Sequence, residues 1–129
     1  MTTTSMLWTG RVLTGVFVLF MLGGSIAPKI FGMPVAESTL VNLGWPQGHA
    51  FKIGLLELTC VVLYLIPRTS ILGATLMTAL LGGAIATHAR VGSPLFSHIL
   101  FGVYLGLFMW GGLWFRDPAL RALLPIRTT

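Results

Sequence analysis

The chain has 129 residues, of which 55% are apolar and only 9% are charged. A water-soluble domain carries roughly 25% charged residues to cover its surface, so this composition excludes an ordinary soluble domain and favours a chain surrounded by lipid. The formal net charge is +5. The basic residues stand at the ends of apolar runs rather than in a patch with aromatic residues, which argues against nucleic-acid binding.

Four apolar segments follow one another along the chain, at residues 7–27, 50–66, 70–89 and 99–115. A helix that crosses the hydrocarbon core needs about 20 residues, within a range of about 17–25. The connections after the second and third segments are short, so neighbouring helices should run antiparallel. The sequence therefore predicts an all-α membrane protein, with one domain over residues 1–129 that folds as an antiparallel bundle of four transmembrane helices.

The long connection between the first two segments has its own pattern. Residues 34–44 begin with Pro34 and end with Gly44, as short helices often do. Trp45 follows at a position typical of an interfacial anchor. We expect a short amphipathic helix here that covers one face of the bundle.

The distribution of basic residues predicts the orientation in the membrane. With four spans, five arginines fall on the side of the termini and three basic residues on the other; the five are Arg11, Arg68, Arg116, Arg121 and Arg127, and the three are Lys29, Lys52 and Arg90. Because the side richer in Lys and Arg usually stays in the cytoplasm, we expect both termini there.

The same topology brings the chemically active side chains to the end opposite the termini. These residues are Lys29, His49, Lys52, Glu57, His88, Arg90 and His98. Glu57 lies about 7 Å deeper than Lys52 at 1.5 Å per residue. A carboxylate inside a span usually faces the bundle interior and has a partner, and Lys29 is a better candidate than Lys52, which points to another face of the same helix.

The two histidines near the third and fourth segments can meet. His98, Gly102 and Gly106 share one helix face, and such a G-x-x-x-G face packs closely against another helix. His88 lies ten residues before His98, across a turn at the same end. The alternative without a functional role is a pair of interfacial histidines hydrogen-bonded to the backbone or to water.

Three hypotheses for this end remain open. Glu57, His88 and His98 could handle protons in a pocket for an amphipathic small molecule, with Lys29, His49, Lys52, Arg90 and Trp45 as further ligand-binding residues. His88 and His98 could instead ligate a metal or a haem, although two histidines without a spacing motif are weak support. The cluster could also be an electrostatic contact in a non-catalytic subunit.

Several stretches resemble the DoxX-like proteins, small four-helix bacterial membrane proteins. They are LEL at 56–58, IPRT at 66–69, LGGAIATHARVG at 81–92, PLFSH at 94–98, WGGLWFRD at 110–117 and RALLP at 121–125, together with residues 25–29 and 43–46. The resemblance implies a location in the bacterial inner membrane. It also implies a link to membrane redox complexes, since the family name comes from a subunit associated with thiosulfate:quinone oxidoreduction. By position, Lys29, Glu57, His88, Arg90 and His98 match the family pattern. Relatives that act on thiols use cysteines, and this chain has only Cys60.

The function predicted from the sequence is binding of a lipophilic molecule, with a quinone as the candidate, in a redox process. Possible partners are a membrane redox protein or further copies of the chain. Two alternatives stay open. One is a structural or accessory subunit of a membrane complex, and the other is a membrane isomerase or epoxide-opening enzyme that uses Glu57 and the histidines as acid and base.

Overall fold

A computed structural model describes residues 2–128, and these residues contain helices and no strands. The helices are α1 (Thr3–Ile30), α2 (Pro34–Asn42), α3 (Ala50–Leu65), α4 (Ser70–Arg90), α5 (Phe101–Arg116) and α6 (Pro118–Leu123). A 3-10 turn, Pro67–Thr69, precedes α4, and a π-helical turn, Leu95–Ile99, precedes α5. The all-α prediction is confirmed.

Three helical stretches are long and apolar enough to cross a membrane: Thr3–Ile30, Pro67–Arg90 and Leu95–Arg116. Helix α3 has 16 residues and is shorter than the usual span. Many apolar side chains point outward, among them Leu19, Phe96 and Leu107, which are 73%, 74% and 66% exposed. An apolar exterior on long apolar helices is what contact with a lipid bilayer requires.

Local sequence explains where α1 begins and why part of it is π-helical. The side chain of Thr2 accepts a hydrogen bond from the Ser5 N–H at the start of α1, which satisfies one of the unpaired donors of a helix N-terminus. Within α1, residues Met21–Ile26 are π-helical, and the N–H of Ala27 bonds to the carbonyl of Leu22. Pro28 follows directly and has no N–H to donate, so the wider turn lies where the regular α-helical bonding would be interrupted.

Close helix contacts are made through glycines. Helix α1 packs along α5, where a Cβ on Gly10 would lie 2.7 Å from the Gly112 carbonyl oxygen. Helix α3 packs on α4, where a Cβ on Gly73 would collide with the backbone of Tyr64. Only a residue without a side chain allows backbones to approach this closely.

The core between these contacts is centred on Tyr64. Its ring is fully buried and meets Phe17 edge to face, with the centroids 5.5 Å apart. The Tyr64 hydroxyl donates to the Met109 carbonyl at 2.6 Å and lies 3.0 Å from the Thr14 hydroxyl. These bonds connect α1, α3 and α5, and because the hydroxyl is buried they also satisfy a group that would otherwise be costly.

The two ends of the helices differ in their charged residues. One end, called the polar end below, carries Lys29, Glu57, His88 and His98. The other, called the arginine end, carries Arg11 and Arg116. The antiparallel pairing of α1 with α5 separates the two groups, because the start of α1 meets the last turn of α5.

Candidate functional site

A cavity of about 550 Å³ opens between the helices at the polar end and is called the polar cavity. Most of its wall is apolar and comes from α1, α2, α3, α4 and α5. The polar groups on the wall are Ser25, Lys29, Thr39, Trp45, Glu57, Thr87, His88 and His98. A mostly apolar cavity with a few convergent polar groups is the usual form of a small-molecule site.

Three side chains on one wall form a closed set of hydrogen bonds, called the Glu57 cluster. The Lys29 ammonium lies 2.8 Å from Glu57 Oε1, and the two side chains are 15% and 12% exposed. The Ser25 hydroxyl donates to Glu57 Oε2 at 2.8 Å and accepts from Lys29 Nζ at 2.6 Å. Glu57 therefore pairs with Lys29, the partner that the sequence favoured over Lys52.

Backbone geometry brings these groups together. Ser25 and Lys29 are four residues apart, on either side of the junction where the π-helical turn of α1 ends. On the facing helix, Gly54 lies one turn before Glu57, and a Cβ there would lie 2.8 Å from Lys29 Cβ. Because Gly54 has no side chain, α1 and α3 can approach until the ammonium reaches the carboxylate.

His88 and His98 also line the polar cavity. Their ring centroids are 5.7 Å apart and the rings meet edge to face. His88 Nδ1 lies 3.0 Å from the Ser93 hydroxyl, and His98 Nδ1 lies 2.7 Å from the Ser97 hydroxyl. His88 and His98 therefore contact each other, as the sequence suggested they could, and a nearby serine hydroxyl orients each ring.

The metal-site hypothesis concerns His88 and His98. Within residues 2–128, no group of three or more His, Cys, Asp or Glu side chains is placed to hold a metal ion. His88 and His98 would contribute two imidazoles, whereas protein metal centres usually need three or four protein ligands.

The other residues singled out from the sequence are divided between the cavity and its surroundings. Trp45 is on the cavity wall, and its ring lies 5.9 Å from that of His49. His49, Lys52 and Arg90 are not on the wall. Lys52 is exposed, and Arg90 Nη2 donates to the Leu43 carbonyl at 2.9 Å, so it connects the end of α4 to the segment that follows α2.

Ser25 is the site residue that sequence reasoning missed. Its spacing of four residues from Lys29 was a usable signal, since residues at i and i+4 are neighbours on a helix. The Glu57 carboxylate thus has two donors at different oxygens, and the cluster places a compensated charge pair beside apolar space. Such a wall can donate hydrogen bonds to the polar head of a ligand while the apolar wall contacts its body.

Long apolar helices with an outward apolar surface, and a polar cavity at one end, define a membrane protein. Comparison with known protein families then shows to which family of membrane proteins the chain belongs. The sequence profile described as the DoxX-like family matches residues 12–112, and the chain belongs to this family. No curated protein and no solved structure is significantly similar to the chain.

Proposed function

We propose that the whole chain is one domain of four membrane-spanning helices, α1, α3, α4 and α5, with α2 as a lid beside the polar cavity. Helix α3 is the short member, at about 24 Å for its 16 residues. It packs between α1 and α4 and has Glu57 and Tyr64 on its buried face. The excess of arginines at the other end supports an inner-membrane protein with cytoplasmic termini.

In this arrangement the polar cavity binds a lipophilic small molecule with a polar head. The Glu57 cluster carries this proposal, because a carboxylate in a span is expensive and is rarely retained without a role. The apolar wall fits a hydrocarbon body, and Lys29 and the histidines at one end can donate hydrogen bonds to a head group. The chain belongs to the DoxX-like family, and the link to membrane redox complexes that the sequence resemblance implies favours a quinone.

A bound quinone would supply two-electron chemistry that requires protons. The chain's own contribution is to orient and protonate. Lys29 and Ser25 hold the Glu57 carboxylate, and His88 and His98 place two imidazole groups on the wall of the same cavity. Imidazole changes charge near neutral pH, so a histidine pair next to a ligand oxygen is suited to proton transfer. Electrons would come from a separate membrane redox partner.

The test uses purified full-length protein in detergent. Wild type and His98→Ala are extracted with organic solvent and analysed by mass spectrometry for quinones, with a visible spectrum recorded before extraction. A short-chain quinone is then titrated, with tryptophan fluorescence as the signal, against wild type and Glu57→Gln. Lys52→Gln is the matched control, because Lys52 is exposed and off the cavity wall.

We expect a quinone in the wild-type extract and less of it in His98→Ala. Loss of a buried hydrogen-bond partner costs about 1–3 kcal/mol, so affinity should fall by about 5- to 150-fold in Glu57→Gln, while Lys52→Gln should bind like wild type. Unchanged affinity in Glu57→Gln would eliminate a role of the Glu57 cluster in binding the ligand. If the purified protein is colourless and ligand-free and binds no quinone, the accessory-subunit function is the alternative that remains.

One feature specifically favours that alternative. Within residues 2–128, a Cβ on Gly82 of α4 would meet no neighbouring atom within 4 Å, and Gly82 is not on the wall of the polar cavity. In contrast, a Cβ on Gly102 would lie 2.8 Å from Ile85 Cγ1, so the glycine face of α5 is used inside the chain. The open small-residue face of α4 can receive a helix of another subunit. Chemical cross-linking of Gly82→Cys in membranes tests this surface.

A further inference from the structure

A second, more open cavity of about 300 Å³ lies at the arginine end and is called the arginine cavity. Arg11 of α1 and Arg116 of α5 are both on its wall. The rest of the wall is largely apolar and includes Val18, Leu19 and Leu65. The arginine cavity thus has two cations beside an apolar surface, whereas in the polar cavity Lys29 is paired with Glu57.

Within residues 2–128, the Arg116 guanidinium is only partly hydrogen-bonded. Its Nε donates to the Gly112 carbonyl at 3.1 Å, and its guanidinium lies over the Tyr64 ring, 5.8 Å from the centroid. Nη2 is buried and has no hydrogen-bond partner among residues 2–128. A guanidinium has five N–H donors, and leaving buried ones unpaired is unfavourable.

Within the described part of the chain, no acidic side chain forms an ion pair with Arg116. The ion pair found there joins Lys29 to Glu57, at the polar end. Asp117 is next in sequence to Arg116, but its carboxylate accepts from the Ala119 N–H at 2.9 Å, as the N-cap of α6.

Arg11 adds a second positive charge to the same wall. It is exposed, and its guanidinium stacks on the Trp8 ring, 5.0 Å from the centroid. Trp and Arg near the end of a span are typical of the headgroup level of a membrane. Both cations thus lie where lipid phosphates are found, and the apolar part of the wall continues along α1 toward the membrane interior.

We propose that the arginine cavity binds an anionic phospholipid, with the headgroup phosphate between Arg11 and Arg116 and an acyl chain over Val18 and Leu19. Arginine forms paired hydrogen bonds with phosphate oxygens, and basic pockets between membrane helices bind anionic headgroups. A choline headgroup carries its own cation, which two arginines repel. The site is separate from the polar cavity, and the proposal does not depend on quinone binding.

The experiment is native mass spectrometry of full-length protein in detergent with equal amounts of phosphatidylglycerol and phosphatidylcholine. The variants are Arg11→Gln, Arg116→Gln and Arg116→Lys. Arg68→Gln is the matched control, because it removes one positive charge from the loop before α4 without touching the cavity. Arg11 is exposed, so Arg11→Gln keeps the test valid if Arg116→Gln fails to fold.

We expect wild type and Arg68→Gln to favour phosphatidylglycerol by at least about fivefold, the effect of one basic residue near an anionic membrane surface. Arg11→Gln should lose most of this preference, and Arg116→Lys should keep only part because an ammonium lacks the planar donor fork. Equal loss in Arg68→Gln would indicate general charge attraction and overturn the proposal. So would displacement of the lipid by inorganic phosphate alone, which would assign the site to a soluble anion.

Discussion

The Lys29–Glu57 pair allows a quantitative test of how the polar end is stabilised. The perturbations are Glu57→Gln, Lys29→Met and the combination of both. Each single change leaves a charge in a mostly buried place, with Ser25 as its remaining partner in the cluster. The double change removes both charges together.

The expected magnitude follows from the geometry. At 2.8 Å between the charged atoms, Coulomb attraction with an effective dielectric constant of about 20 amounts to about 6 kcal/mol. Desolvation of the two ions offsets part of this, and removal of one partner from a buried pair typically costs about 3–5 kcal/mol. Because both side chains keep some exposure, we expect each single variant to lose about 3 kcal/mol.

The assay is a double-mutant cycle on the free energy of unfolding, measured in mixed micelles by titration with a denaturing detergent and followed by circular dichroism. We expect the double variant to be less destabilised than the sum of the singles by about 2–3 kcal/mol. Lys52→Met is the control for loss of an exposed lysine and should change stability by less than about 0.5 kcal/mol. Additive single effects would refute a direct interaction between Lys29 and Glu57.

Two further predictions concern the packing of the helices. Gly10→Ala should lower the free energy of unfolding by about 1–3 kcal/mol, because the new Cβ meets the Gly112 backbone. Gly15→Ala, on the same helix but with open space at its Cβ, should cause no loss, and equal effects of the two would contradict the packing of α1 on α5. Tyr64→Phe should lower stability by about 1–3 kcal/mol, because the bond to Met109 is lost. Denaturing-detergent titration measures all three variants, and a neutral Tyr64→Phe would show that this bond contributes little.

Much of the helical framework could be predicted from the sequence. The segments at 70–89 and 50–66 correspond to α4, Ser70–Arg90, and α3, Ala50–Leu65. The first segment, at 7–27, corresponds to the longer α1, Thr3–Ile30. Hydropathy marks the apolar part of a helix, whereas α1 also includes polar turns at both ends, which add no hydropathy signal.

The candidate site could be predicted in part. The depth of Glu57 and the position of Lys29 at the end of the first helix were sufficient to suggest their pairing, because depth along a helix follows from residue count. The sequence grouped His49, Lys52 and Arg90 with them by the same reasoning, but these residues are not on the cavity wall. Depth gives the end of the helix at which a side chain lies but not the direction in which it points.

The sequence by itself determined the helical membrane class, the family, the ends at which charges gather and the pairing of Glu57 with Lys29. Only the tertiary structure decided that Ser25 joins that pair, that His88 and His98 share a cavity with it, and that Arg116 Nη2 is buried without a hydrogen-bond partner among residues 2–128. The physical reason is rotation about the helix axes. Hydropathy and the order of charged residues determine the depth of each residue along the membrane normal. The direction in which each side chain points depends instead on the glycine contacts and on the π-helical turn in α1, which arise only when the helices pack.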